Sequence, residues 1–131
     1  MENSHKSKGG IARIWNATCY SAEGFRAALK HEHAFRQELL LSAALLPIAL
    51  WLPIVPMERA ILVASLLLVL LVELINSAIE AVVDRISSET HELSKRAKDL
   101  GSAAVSVSIV IVLVTWATIA GPVAAKLLDP S

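Results

Sequence analysis

Residues 60–85 read AILVASLLLVLLVELINSAIEAVVDR, an apolar run that ends in regularly spaced polar side chains. Its first thirteen residues, 60–72, carry no charge, and they are followed by Glu73, Asn76, Glu80 and Asp84. Because an α-helix turns about 100° per residue, these four side chains fall within about 80° of arc, which we call the polar stripe. A charge in the membrane interior costs roughly 2.5–3.5 kcal/mol on the mildest scale. The stripe therefore predicts a functional site.

The composition is that of a membrane protein. Hydrophobic residues make up 55% of the 131 residues and charged residues 18%, whereas a soluble domain is nearer half apolar and a quarter charged. Lys+Arg and Asp+Glu both number 12, so the net charge itself says nothing about nucleic acid, and we expect no nucleic-acid partner. The single cysteine, Cys19, excludes an internal disulfide. The polar N-terminus lacks the pattern of a signal peptide, so we expect uncleaved membrane spans.

The pattern predicts an all-α membrane protein, organised as a single membrane domain over residues 1–131. An amphipathic helix precedes three apolar segments, each close to the roughly 20 residues that cross a bilayer. Such a helix is suited to the membrane interface. Gly121–Pro122 is expected to end the last span. The predicted parts are a disordered lead at 1–10, the interfacial helix at 11–30, transmembrane helices at 34–52, 57–83 and 98–121, and a tail at 122–131.

The distribution of Lys and Arg predicts the orientation. Six of them precede the first span and four lie between the second and third, whereas only Arg59 and Lys126 fall on the other side. Because basic residues concentrate in cytoplasmic segments, the N-terminus and the polar stripe are expected in the cytoplasm and the C-terminus outside. Trp51 and Trp116 then fall toward the outer interface.

The side chains available near the stripe suit phosphoryl transfer. Carboxylate and amide oxygens, without clusters of His or Cys, are the ligands that Mg²⁺ prefers. No P-loop or glycine-rich kinase loop is present, which excludes the known soluble nucleotide-binding scaffolds. Phosphoryl transfer nevertheless needs mainly a metal, positioning and a base. A glutamate at the edge of the apolar run suits a general base, although the spacing alone does not separate a base from a metal ligand.

Two other classes of function fit the same residues. A proton-coupled transporter could use a membrane glutamate, and a structural subunit could use polar side chains to hold helices together. At about 1.5 Å per residue, Glu73 lies about 24 Å from the start of its span at Met57. The rest of the stripe lies further still, toward one surface of a core about 30 Å thick. That position favours a site reached by a soluble nucleotide.

Three segments resemble the prokaryotic diacylglycerol kinase family: IARIWNATCYSAEGFRAA (11–28), HEHAFRQE (31–38) and VELINSAIEAVVDRISSETHELSKRAKDLGSAAV (72–105). The resemblance implies a homotrimer with active sites shared between chains, in the bacterial cytoplasmic (inner) membrane. It implies transfer of the ATP γ-phosphate to diacylglycerol, with Mg²⁺, to give phosphatidate. A related group phosphorylates undecaprenol instead, but FRQE and GSAAV are more similar to the diacylglycerol branch.

The resemblance also implies roles for individual residues. Glu73 matches the catalytic base, and Glu32 and Glu80 match metal-binding carboxylates. Asn76 and Asp84 are supporting polar residues. The implied ATP contacts are Arg13, Tyr20, Glu32, Glu80, Glu89, Thr90, His91, Lys98 and Asp99. The implied lipid contacts are Arg26, Ala34, Phe35, Arg36, Gln37, Glu38, Trp51, Glu73, Ser102 and Trp116.

Overall fold

Every regular element in the described part of the chain is an α-helix. The computed structural model describes residues 9–86, 89–129 and 131. In chain order the helices are α1 (Gly10–His31), α2 (His33–Trp51), α3 (Pro56–Ile86) and α4 (Glu92–Leu128). The last three are each long and apolar enough to cross a membrane. The all-α class with three candidate spans is therefore confirmed, while the homotrimer and the membrane boundaries along each helix stay predictions.

The fourth helix is longer than expected. It continues through Gly121 and Pro122 to Leu128, beyond the predicted end of the span at residue 121, and where the membrane span itself ends stays a prediction. A proline ring crowds the Cβ of the residue before it. Gly121 has no Cβ, which removes that crowding and lets the helix continue. Residues 1–8 of the predicted disordered lead, and Pro130 of the predicted tail, lie outside the described residues.

A single residue separates α1 from α2. Glu32 has an extended backbone, with φ −106° and ψ 106°, and this breaks the helix. The guanidinium of Arg36 then reaches back and donates to the carbonyl oxygens of Leu29 and Lys30, at 3.0 and 3.3 Å. These carbonyls belong to the last turn of α1, which has no helical partner for them. Arg36 therefore joins the end of α1 to the start of α2.

The turn between α2 and α3 is closed in a similar way. Arg59 of α3 donates to the carbonyl oxygens of Ala49 and Leu52, at 3.1 and 2.9 Å. Ala49 and Leu52 are buried together with Leu62 in the main apolar cluster. The partly buried residues packed against it are Ile54, Val63, Trp116, Ile119, Ala120 and Val123.

The pairing of α3 with α4 positions the polar stripe. At one end of the pair, the indole nitrogen of Trp116 donates to the hydroxyl of Ser65 at 3.2 Å. Ser65 is buried and donates in turn to the carbonyl of Leu62 at 2.7 Å. At the other end, His91 caps α4 by accepting a hydrogen bond from the backbone of Leu93 at 3.1 Å. That cap is local to α4, and near the same end Lys98 of α4 pairs with Asp84 of α3 at 2.6 Å, so side-chain bonds join the two helices at two separate levels.

We expect Arg36→Gln to loosen the end of α1. Glutamine is too short to reach Leu29 and Lys30, so two hydrogen bonds are lost, each worth about 0.5–1.5 kcal/mol. Amide hydrogen exchange at residues 29–32 should therefore become roughly 5- to 150-fold faster. Arg13→Gln is the matched control, because Arg13 makes no ion pair within the described residues. Equal exchange in the two variants would contradict this role of Arg36.

Candidate functional site

The polar stripe of α3 runs from the interior of the helix bundle to its exposed end. Glu73 and Asn76 are buried, with 5% and 8% of their surface exposed. Glu80 is half-buried, and Asp84 is exposed. Because α3 is helical without interruption from Pro56 to Ile86, the four side chains share one side of the helix, as their spacing predicts.

Asn76 connects the stripe to α4. Its amide nitrogen donates to Glu80 Oε1 at 3.3 Å, and its amide oxygen contacts the buried Gly101. This oxygen, Oδ1, accepts no hydrogen bond from any residue that the structure describes. A buried acceptor without a partner costs free energy, so such a group needs an explanation at a functional site.

Four carboxylates interact electrostatically around the buried end of the stripe. They belong to Glu32 at the α1–α2 junction, Glu38 of α2, and Glu73 and Glu80 of α3, and we call them the carboxylate cluster. The negative charges of Glu80 and Glu32 both act on Glu73, and the charge of Glu73 acts on Glu38. Like charges in apolar surroundings are stable only when cations or protons offset their repulsion. The cluster therefore has the electrostatics of a cation or proton site.

The donor atoms of the carboxylate cluster fit Mg²⁺. All of them are carboxylate oxygens, which hard divalent cations prefer. Within residues 9–86, 89–129 and 131, no three His, Cys, Asp or Glu side chains could hold a metal by themselves. At phosphate-handling sites, Mg²⁺ usually takes one or two carboxylates and completes its shell with water and phosphate oxygens. Glu32 and Glu80 match that requirement in number and chemistry.

A cavity of about 490 Å³ opens where α3 ends and α4 begins. At its wall, Lys98 pairs with Asp84 at 2.6 Å, and Lys95 pairs with Asp99 at 2.7 Å. The cavity is lined by five of the predicted ATP contacts: Glu89, Thr90, His91, Lys98 and Asp99. The structure thus brings together the C-terminal group of predicted nucleotide residues.

Two further polar residues of this cavity were missed by the sequence reasoning. Ser94 and Lys95 also line it. Lys95 lies three residues before Lys98, and Ser94 lies four before it, a spacing that places them on the same side of α4. Helical spacing from Lys98 was therefore a signal that could have identified both.

A larger cavity, of about 600 Å³, lies between α1 and α3. Its walls are mainly apolar and include Phe25, Ala28, Leu74 and Ala78, together with Glu32. It therefore has one carboxylate in common with the carboxylate cluster. An apolar cavity that meets a polar centre suits a molecule with a hydrocarbon part and a reactive polar part.

Several predicted nucleotide contacts lie apart from these cavities. Arg13 and Tyr20 are exposed on α1 and line neither the α1–α3 cavity nor the α3–α4 cavity. Of the whole of α1, only Ala28 is buried. The first half of α1 is therefore free to contact another molecule, and the roles of Arg13 and Tyr20 stay predictions.

The predicted lipid contacts are spread along the chain. Glu38 lines a third cavity, of about 140 Å³, among apolar side chains of α2, α3 and α4. Phe35 is buried, Arg36 joins α1 to α2, and Arg26 pairs with Glu23 at 2.7 Å. The remaining contacts do not gather at the carboxylate cluster: Ala34, Gln37 and Ser102 are exposed, and Trp51 and Trp116 lie toward the far end of the bundle. Their roles also stay predictions.

Gly101 begins the run GSAAVSVS, whose small residues predict close helix packing, but the sequence reasoning gave Gly101 no role of its own in the site. A glycine inside a helix is less favourable than alanine by up to about 1 kcal/mol. A glycine within an otherwise helical pattern therefore often has a packing reason, and that was the available signal.

Comparison with known proteins gives a consistent result. A sequence profile described as prokaryotic diacylglycerol kinase matches residues 19–120. A diacylglycerol kinase of Pseudomonas aeruginosa is 55% identical over 114 residues, which cover 87% of this chain and 93% of that protein. Diacylglycerol kinases of Escherichia coli K12 and Haemophilus influenzae are 52% and 46% identical over 107 residues, covering 82% of this chain and 88% and 91% of theirs.

The profile match spans α2 and α3 completely and most of α4, so it includes the polar stripe and the α3–α4 cavity. The three relatives agree with it at high identity and over nearly their whole length. The resemblance seen in the sequence motifs is thereby confirmed, and the chain belongs to the prokaryotic diacylglycerol kinase family.

Proposed function

We propose that this protein transfers the γ-phosphate of ATP to the free hydroxyl of diacylglycerol and so makes phosphatidate. Membership of the family makes the chain a lipid kinase and a multi-pass bacterial membrane protein. Such a kinase uses a nucleotide phosphoryl donor and a divalent metal, for which we propose ATP and Mg²⁺. The observation that carries the proposal is the carboxylate cluster, which is built from α2, α3 and the α1–α2 junction and lies near a polar cavity of nucleotide-compatible chemistry.

Glu73 is the proposed base. In the reaction, a bond forms between the lipid hydroxyl oxygen and the γ-phosphorus, and the bond from that phosphorus to the bridging oxygen of ATP breaks. The hydroxyl proton passes to a Glu73 carboxylate oxygen, and ADP leaves. Glu73 suits this role because it is the most buried carboxylate of the stripe, at 5% exposure. It therefore lies in apolar surroundings, which an apolar substrate can enter. A base in this position typically contributes about 10²–10⁴-fold to the rate.

Glu32 and Glu80 are the proposed metal ligands. Bound Mg²⁺ neutralises phosphate charge and orients the γ-phosphate for in-line attack. The protein's part is to hold the two carboxylates beside Glu73, whose charge both of them already affect. Asn76 fixes Glu80 through the hydrogen bond from its amide nitrogen.

The α3–α4 cavity is the proposed nucleotide site. Its two lysines, Lys95 and Lys98, are paired with Asp99 and Asp84. A polyphosphate could compete for both ammonium groups, because these ion pairs are exposed and therefore weak. The apolar cavity between α1 and α3 is the proposed place for the lipid, since it leads from apolar side chains to Glu32.

The proposed topology puts the carboxylate cluster at the cytoplasmic side of the bacterial inner membrane. Ten of the twelve Lys and Arg residues flank the N-terminal side of α2 or lie near the α3–α4 connection. The positive-inside rule then gives a cytoplasmic N-terminus and an external C-terminus. This orientation gives the site access to cytoplasmic ATP.

The proposed assembly is a homotrimer with sites completed by neighbouring chains. Within one chain, the α1–α3 and α3–α4 cavities are each formed mainly by two helices, which leaves a nucleotide and a lipid partly unenclosed. In addition, α1 buries only Ala28 against its own chain, so most of its surface is available to a neighbour.

The decisive test of the function is product formation. We expect purified protein in detergent to convert γ-labelled ATP and diacylglycerol into labelled phosphatidate, and to need Mg²⁺ for it. Undecaprenol is assayed in parallel. Labelling of undecaprenol alone would move the protein to the other branch of the family. If neither lipid is labelled, the kinase proposal fails, and proton-coupled transport becomes the next function to assay.

We expect Glu73→Gln to lower turnover by at least about 10²-fold, since glutamine keeps the shape of the side chain but cannot accept the hydroxyl proton. Binding of a non-hydrolysable ATP analogue and the thermal unfolding temperature should change little. Glu23→Gln is the control, because Glu23 is exposed on α1 and pairs only with Arg26 among the described residues. Near-normal turnover in Glu73→Gln would place the base on another residue.

Mixing two inactive variants tests whether sites are shared. We expect Glu32→Gln and Glu73→Gln chains, each inactive alone, to recover part of the wild-type activity when assembled together. Recovery would mean that Glu32 of one chain and Glu73 of another can form one active site together. Differently tagged chains verify mixed assembly by co-purification. No recovery in verified mixed assemblies would mean that each site takes both carboxylates from one chain.

A further inference from the structure

The helices α3 and α4 approach each other closely at Gly101. This residue is buried in α4. A Cβ atom added to it would overlap Oδ1 of Asn76 and would lie 3.2 Å from the Cγ of the same side chain. The hydrogen that takes the place of a Cβ in glycine therefore points at the amide oxygen of Asn76. No other residue type leaves this space free.

The amide of Asn76 is constrained from both sides. Its nitrogen donates to Glu80 Oε1 at 3.3 Å. An ionised carboxylate can only accept hydrogen bonds, so the nitrogen must face Glu80 and the oxygen must face Gly101. Asn76 is only 8% exposed, which leaves its side chain little room to adopt another rotamer. The orientation of this amide thus depends on the absence of a side chain at position 101.

We propose that Gly101 is a positioning residue for Glu80, and that it acts through Asn76. With any side chain at position 101, the Asn76 amide must turn away or α4 must move out. Either change breaks the hydrogen bond to Glu80. Glu80 then loses its neutral donor while it still faces the negative charge of Glu73, so its carboxylate moves off the metal position. In its reference to metal this inference rests on the proposed function, since it takes Glu80 as a ligand of the metal–nucleotide complex.

A packing role for Gly101 would have different consequences. If the glycine only lets two helices approach, a larger residue lowers stability and leaves the properties of the assembled protein's metal site unchanged. If it positions Glu80, metal affinity falls in protein that is folded and assembled. Partners that orient metal ligands typically contribute 10- to 100-fold to metal affinity.

The first experiment compares Gly101→Ala with Gly10→Ala, a matched control at the start of α1 where an added Cβ meets nothing within 4 Å. Binding of Mn²⁺, as a probe for Mg²⁺, is titrated by electron paramagnetic resonance with a non-hydrolysable ATP analogue present. We expect about 10-fold or greater weakening in Gly101→Ala and none in Gly10→Ala. Glu80→Gln gives the size of the effect when the ligand itself is lost. Wild-type affinity in assembled Gly101→Ala protein would overturn the proposal.

The second experiment asks whether the effect passes through Asn76. In Asn76→Ala there is no amide for a new Cβ to displace, so adding Gly101→Ala should cause no further loss of Mn²⁺ affinity. If Gly101→Ala lowers Mn²⁺ affinity equally in the presence and in the absence of the Asn76 side chain, the proposal is overturned. If Gly101→Ala alone does not assemble, assembly of the double variant supports the contact. Failure of the double variant to assemble would mean that Gly101 acts on helix packing alone.

These outcomes separate the inference from the proposed function. If the protein binds Mn²⁺ and nucleotide in a Gly101-dependent way but labels no lipid, the positioning role stands and the proposed kinase function fails. If the protein labels lipid and Gly101→Ala leaves its metal dependence unchanged, the proposed function stands and the positioning role fails.

Discussion

The burial of Asn76 where α3 meets α4 is the constraint on which the rest of the structure depends. A buried polar side chain in an apolar bundle must find partners, or it makes the packed state unfavourable. Here one partner is the carboxylate of Glu80, and the other contact is with the bare backbone of Gly101. The helices must therefore pack in a particular rotation about their axes. The hydrogen bond between Trp116 and Ser65, at the other end of the pair, is satisfied by the same rotation.

Negative and positive side chains lie at different positions along the axis of the bundle. The carboxylate cluster gathers negative charge near the buried end of the stripe, whereas Lys95 and Lys98 supply positive charge near the start of α4. The pair between Lys98 and Asp84 lies where these two regions meet. Exposed pairs of this kind add little to stability. Their value here is that they keep cationic side chains beside a site that anionic phosphates must approach.

Periodicity and composition predicted the helices and the side of α3 that carries the stripe, because both depend on spacing within one helix. The Gly101–Asn76 contact depends on how α4 is rotated against α3, and a run of small residues leaves that rotation open. The anchoring of α1 by Arg36 was also missed, because Arg36 was assigned to the lipid contacts and its reach back to Leu29 and Lys30 depends on the helix break at Glu32. The continuation of α4 past Pro122 was missed because a Gly–Pro pair usually ends a helix, whereas here the lack of a Cβ at Gly121 removes the crowding.

Glu32 has a second property besides its charge. It is the only residue between α1 and α2, and its extended φ and ψ set the angle between the two helices. Any tilt of α1 relative to α2 therefore changes the backbone torsions at Glu32 or its immediate neighbours, and so moves its carboxylate. No flexible linker lies between them to absorb the movement. The angle between α1 and α2 and the position of a carboxylate in the cluster are thus coupled through the backbone of one residue.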